Sequence, residues 1–277
     1  MKAVRDRCGE EEMQSFFLSP AEQANTPSTL LIAAHPDDET IGAGALLKRR
    51  PKIRVIHVTD GSPLNPADAI AAGFTTREEY AEARRKETVQ ALAQAGVRED
   101  AITTLHFTDQ QLAFHLKELS EGVLALVRQF QPEIVLTHPY EGGHPDHDSV
   151  AFACHVARRL SGEASFCLCE FTEYHAGDGG MEIYAFPPGE HQPPYTYRLK
   201  AGERELKIAM IKSFKTQERT LRRFMRPEAE RFRVAPQYDF TRPPHEGKLW
   251  YENFKWGTDG ATWRKMASQT LSEFFHP

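Results

Sequence analysis

Two short clusters of histidine and carboxylate stand out in this chain: Ala34-His35-Pro36-Asp37-Asp38-Glu39 and His144-Pro145-Asp146-His147-Asp148. Imidazole nitrogens and carboxylate oxygens are the ordinary ligands of a catalytic zinc, which takes three protein ligands and keeps a position open. His35, Asp38 and His147 would make a His–Asp–His set and leave Asp37, His144 and Asp146 for other work. A bound metal acidifies water towards a pKa of about 7 and polarises a carbonyl. A nearby carboxylate can take the proton, and a second histidine can steady the oxyanion of a tetrahedral intermediate. These are the parts for hydrolysing an amide, although spacing alone does not divide the roles among them.

Each cluster alone has a bland reading. Acidic residues after His35 could cap a helix and favour its dipole, and His144 to Asp148 could be a polar loop entering a helix. Such a cap explains one carboxylate, not a histidine with three carboxylates. Glu39 suits a structural place on the backbone amides of the helix start. His57, His106, His115, His155 and His276 are read as core or surface residues. So is His138, although it ends a strand beside the predicted crevice.

The elements around the clusters make the case for one shared site. Continuous apolar runs at 30–34 and around 134–136 suit strands covered on both faces. Further strands are expected at 54–58, 102–107 and 165–174, and helices at 40–50, 76–95, 116–130 and 147–160. Thr75 or Thr76 can cap the second helix, and Gly96 can end it. Strands alternating with helices imply right-handed crossovers and a mostly parallel sheet, an α/β/α sandwich. In the common doubly wound order the first and fourth strands flank the point where strand order reverses, and ligands bind beyond their C-terminal ends. Both clusters follow those two strands. Residues 28–175 are therefore expected to form the core. Residues 176–277, rich in proline, glycine and aromatics, are expected to be an irregular C-terminal extension packed on it, with specificity carried by 61–75 and 175–260.

The paired motifs at strand ends resemble the PIG-L/LmbE-like deacetylases, over about residues 28–175. The resemblance implies a Rossmann-like fold and removal of the acetyl group from an N-acetylated sugar or glycoconjugate such as an N-acetylglucosamine derivative. It implies zinc on His35, Asp38 and His147, Asp37 as general base, His144 stabilising the tetrahedral intermediate, and Asp146 orienting that histidine. Arg84 in Arg84-Arg85-Lys86-Glu87 and Asp109 after the third strand match family positions that bind sugar hydroxyls. One departure is Gly142, where some members carry a tyrosine; Tyr140 is near but not at the matching place. Ferrous iron could occupy the same donors.

Composition narrows the alternatives. A net charge of −5 and a pI near 6.2 argue against a nucleic-acid partner. No apolar run is long enough to span a membrane, and the charged N-terminus lacks a signal peptide's apolar stretch, so a cytoplasmic location is expected. Cys8, Cys154, Cys167 and Cys169 are read as buried, reduced thiols. Two other functions fit less well. One is a metal-dependent amidase or esterase on a non-sugar acyl conjugate. The other is a non-enzymatic Rossmann-like binding module, disfavoured because Gly42 and Gly44 fall inside the helix and two carboxylates at its start would repel a phosphate.

Overall fold

The computed structural model describes residues 9–20, 26–162, 165–189 and 193–276; Cys8 and the start of the polar lead-in lie outside the described residues. Five parallel strands come first: β1 (Thr29–Ala33), β2 (Arg54–Pro63), β3 (Ile102–Asp109), β4 (Ile134–Thr137) and β5 (Cys167–Phe171). β6 (Tyr174–Gly177) and β7 (Gly180–Ile183) form a separate antiparallel hairpin. β8 (Tyr195–Arg198) and β9 (Ala229–Val234) return to the main sheet, antiparallel, beside β5. Its order is β3-β2-β1-β4-β5-β9-β8, so β1 and β4 are neighbours at the reversal, as expected.

The helices are α1 (Glu10–Leu18), α2 (Asp38–Arg49), α3 (Ala67–Ala71), α4 (Arg77–Ala95), α5 (Leu116–Phe130), α6 (Pro145–Ser161), α7 (Ala201–Ile211), α8 (Glu218–Leu221) and α9 (Gly260–Phe275). Strand residues alternate between two cores. Leu31, Ala33, Val55 and Leu136 face α1, α2, α4 and α7, while Leu30, Ile32, Ile56 and Val135 face α5 and α6. Burial on both sides explains the unbroken apolar runs. α4 begins with a capping box between Thr76 and Glu79 and ends at Gly96 in the left-handed conformation.

The extension is built into the sheet rather than laid over it. α2 kinks at Ala43, which frees backbone N–H groups in mid-helix. The buried carboxylate of Glu230 on β9 accepts from Ala45 N at 2.7 Å and Leu46 N at 2.9 Å, and Lys207 on α7 donates to it at 2.7 Å. Removing one partner from such a buried pair costs about 3–5 kcal/mol. α9 covers a third cluster, in which Trp263 packs with Tyr140, Phe152 and Phe240. α9, β8 and β9 are regular elements within a stretch expected to be irregular.

One expectation is corrected here. Cys154 and Cys169 are free and buried, but Cys167 is disulfide-bonded, not a reduced thiol. Its side of β5 faces α1, where Met13 Sδ lies 3.8 Å from its sulfur. No sequence spacing signals such a long-range approach. Among the described residues no helix is long and apolar enough to cross a membrane.

Candidate active site

Both clusters meet beyond the ends of β1 and β4. α2 starts at Asp38 and α6 at Pro145, each two residues earlier than expected, so Asp38 and His147 sit in first helical turns. His35 Nδ1 lies 3.3 Å from Asp38 Oδ2 and 3.3 Å from His147 Nε2, and His147 Nε2 lies 3.4 Å from Asp38 Oδ2. A tetrahedral ion with ligands at about 2.0–2.1 Å has its ligand atoms about 3.3–3.4 Å apart. The three donors therefore already outline one face of such a site, and they fit a zinc-sized ion.

Overlapping groups compete for the same place: His35–His144–His147, Asp38–His138–His147 and His35–Asp109–Asp146. Their hydrogen bonds bear on which donor atoms are free. His138 Nε2 accepts from Ala34 N at 2.9 Å, so its lone pair is occupied. His144 Nδ1 accepts from Asp146 N at 3.1 Å, which leaves the proton on Nε2 and no lone pair to give there. His35 Nε2 faces Asp109 Oδ1 at 3.0 Å and Asp146 Oδ2 at 3.3 Å, so it carries its proton and frees Nδ1. A carboxylate behind a ligating histidine fixes tautomer and ring orientation in this way. Burial opposes charge on His35, but Asp109 and Asp38 outweigh it and raise its pKa well above the usual value. Burial also opposes ionisation of Asp38, yet His147 and His35 hold it well below the carboxylate range. The cavity thus favours a positive charge between these groups.

Asp37 sits beside the triangle in a strained backbone, φ 141° and ψ −27°. For a residue with a Cβ this costs about 1–3 kcal/mol and marks functional sites. Its Oδ2 accepts from Arg84 at 2.9 Å, and its N–H donates to Glu39 Oε2 at 3.1 Å. Burial pushes its carboxyl up to about 8 against the pull of Arg84. Glu39 is structural, as expected, and is braced by His57 at 2.8 Å.

Arg84 and Asp109, expected at sugar hydroxyls, are turned towards the protein. Arg84 is 4% exposed and donates to Gly61 O, Pro36 O and Asp37. Asp109 is 6% exposed and faces His35. Asp146 also departs from its expected partner. Its carboxylate contacts His35 and accepts from Gln110 N and Leu112 N at the end of β3; only its backbone meets His144. Those two amides attract it because the chain leaves β3 there with unpaired donors.

His144 is neutral, since burial, His35 and His147 all lower its pKa. Tyr140 donates to Arg242 O and packs on Trp263, so it serves the fold. Gly143 is required where it stands: a Cβ would meet the carbonyl oxygen of Tyr174 at 2.0 Å. Tyr174 in turn sets its ring edge-on to His147. Two residues were underweighted in the sequence. His138 lies flat on His147 at 4.0 Å, a place its position at the end of β4 signalled. Trp256 of the extension covers His144 at 4.4 Å, and no local pattern announced it.

Residues 30–157 match the family model described as PIG-L, GlcNAc-PI de-N-acetylase. The match falls on the segment over which the two motifs carry the resemblance. A diacetylchitobiose deacetylase of Thermococcus kodakarensis is 32% identical over 145 residues, which are 50% of this chain and 51% of that protein. A 1D-myo-inositol 2-acetamido-2-deoxy-alpha-D-glucopyranoside deacetylase of Geodermatophilus obscurus is 30% identical over 147 residues, 44% and 50% of the two chains. The chain spans about half the length of the curated relatives it matches. The crystal structure of the antimicrobial reagent A40926 pseudoaglycone deacetylase superposes with a TM-score of 0.55 at 22% identity, over 71% of this chain and 84% of that one. At that identity the likeness establishes the α/β fold with its mostly parallel sheet.

Proposed function

We propose that this protein hydrolyses the acetamido group of an N-acetylated sugar or sugar conjugate, with a divalent ion, zinc in the first instance, held by His35, Asp38 and His147. The observation that carries the reading is the triangle of donor atoms with edges of 3.3, 3.3 and 3.4 Å. An ion bound there supplies Lewis acidity, acidifying water and polarising the acyl oxygen. Asp37 takes the proton from the attacking water, its other oxygen steadied by Arg84. His144, neutral with its proton on Nε2, donates to the oxyanion as the tetrahedral intermediate forms. The proton gathered on Asp37 then passes to the departing amine. Arg84, Asp109 and Asp146 act through other residues: Arg84 positions Asp37, and the two aspartates position His35.

The sugar half of the proposal is supported by the acetylated sugars named for the matched relatives. The test is metal analysis of the purified protein together with acetate release from N-acetylglucosamine and diacetylchitobiose. About one divalent ion per chain and turnover abolished by chelation are expected. A protein that binds no metal, or whose turnover ignores both chelator and Asp37→Asn, overturns the reading. The same analysis separates zinc from ferrous iron.

A further inference from the structure

Among the described residues, the exposed large hydrophobic side chains are Leu64, Ile70, Phe114 and Phe254. Each belongs to a segment at the C-terminal rim of the sheet, where the metal triangle lies. Leu64 follows β2 directly, and Ile70 is on α3 just beyond. Phe114 closes the turn after β3, and Phe254 is in the loop that brings Trp256 onto His144. Scattered exposed hydrophobics are ordinary; a contiguous aromatic surface rooted in a reactive centre is not.

Trp256 and Phe254 are contiguous, and Phe114 stands beside their loop. Trp256 lies 4.4 Å from His144, and Phe254 stacks on Trp256 at 4.4 Å with an interplanar angle of 10°. The ring of Phe114 flanks the same loop, 3.9 Å from where a Cβ on Gly257 would be. Phe254 is 41% exposed and Phe114 46%, so each leaves ring surface open to a partner. Polar groups nearby are turned on one another: Lys248 donates to Asn253 at 2.6 Å, and Asn253 donates to Trp250 O. A flat apolar group needs only the ring surface left open there.

We propose that Trp256, Phe254 and Phe114 form an aglycone subsite, taking a flat apolar group joined to the anomeric oxygen of the acetylated sugar. This rests on the reading of the metal triangle as the place where the acetamide is cleaved. The acetamido nitrogen and the anomeric oxygen sit on adjacent ring carbons. An aglycone must therefore begin within a few bonds of the group that His144 contacts, which is where the wall begins. Two of the three, Phe254 and Trp256, come from beyond residue 157, outside the matched segment.

Calorimetry with two already deacetylated glycosides isolates the subsite from turnover. The para-methoxyphenyl glycoside of glucosamine is expected to bind about tenfold tighter than the methyl glycoside, the scale for burying one aryl face. In Phe254→Ser that ratio falls to about twofold or less, and Phe114→Ser, on an independent segment, lowers it as well. Equal binding of the two glycosides by the unaltered protein, or a ratio that survives both substitutions, overturns the subsite. Absence of acetate release from any N-acetyl sugar would instead remove the deacetylase reading, so the two failures are told apart.

Discussion

The rim of β1 and β4 and the loop from β9 to α9 face each other across His144, and they are built on opposite plans. On the sheet side, His35, Asp37, Asp38, Asp146 and His147 are all buried and held by charged partners or backbone amides. On the extension side, the contacts are aromatic faces, and part of that surface stays open. A buried charged group has few tolerable arrangements, because each unpaired polar atom is costly. An aromatic wall can be rebuilt in many ways at similar volume. On the proposed reading, the first region fixes the chemistry and the second selects what is brought to it.

Substitutions on each side should separate these roles. The largest effect is expected from Asp37→Asn, which keeps shape and removes the proton acceptor. Its kcat should fall about 100- to 10,000-fold with metal content unchanged. A rate within threefold of the unaltered enzyme would show that the base lies elsewhere. His144→Gln should cost about 100- to 1,000-fold in kcat with little change in KM, read from steady-state kinetics. If KM rises while kcat holds, His144 binds substrate and does not stabilise the oxyanion.

Across the interface, Trp263→Ala tests the fold side of the comparison. Trp263 is fully buried and its Nε1 donates to Ser149 Oγ at 2.9 Å. Denaturant unfolding should show a loss of about 3–5 kcal/mol, while folded protein in the cold retains its metal. Loss of metal from still-folded protein would mean that the extension shapes the triangle directly. The smallest effect is expected from Gly143→Ala. The added Cβ forces the loop from Tyr174, for about 1–3 kcal/mol of stability and a lower kcat, because Tyr174 packs on His147. Unchanged stability would show that the hairpin of β6 and β7 yields easily.

How much of this was legible in the sequence follows the same division. The order of β1 to β5, the capping of α4 and the convergence of the two motifs all follow from apolar runs, cap residues and topology. Those are short-range signals with few alternatives. Partner choices were less legible. Asp146 was expected on His144 but faces His35, because the amides that draw it belong to β3, far away in the chain. Arg84 looked like a substrate contact because its helix position says nothing of Gly61 O, Pro36 O and Asp37. Trp256 gave no signal at all, since its meaning depends on a loop folding back across more than a hundred residues. β9 hid for a related reason: it is short, lies far from β5 in the chain, and pairs antiparallel beside parallel strands.

The carboxylate of Glu230 sets a limit on how this protein can be dissected. It caps the start of the second half of α2, just past the kink, in the same helix whose first turn presents Asp38. A fragment ending near residue 175 would keep every residue assigned to the chemistry and lose that acceptor. It would also bare the edge of β5 from Cys169 to Phe171, an open template for unwanted strand pairing. The catalytic motifs are thus not portable as the segment in which they are read. Grafting them onto another sheet means carrying a strand from the far end of the chain to finish the helix that holds them.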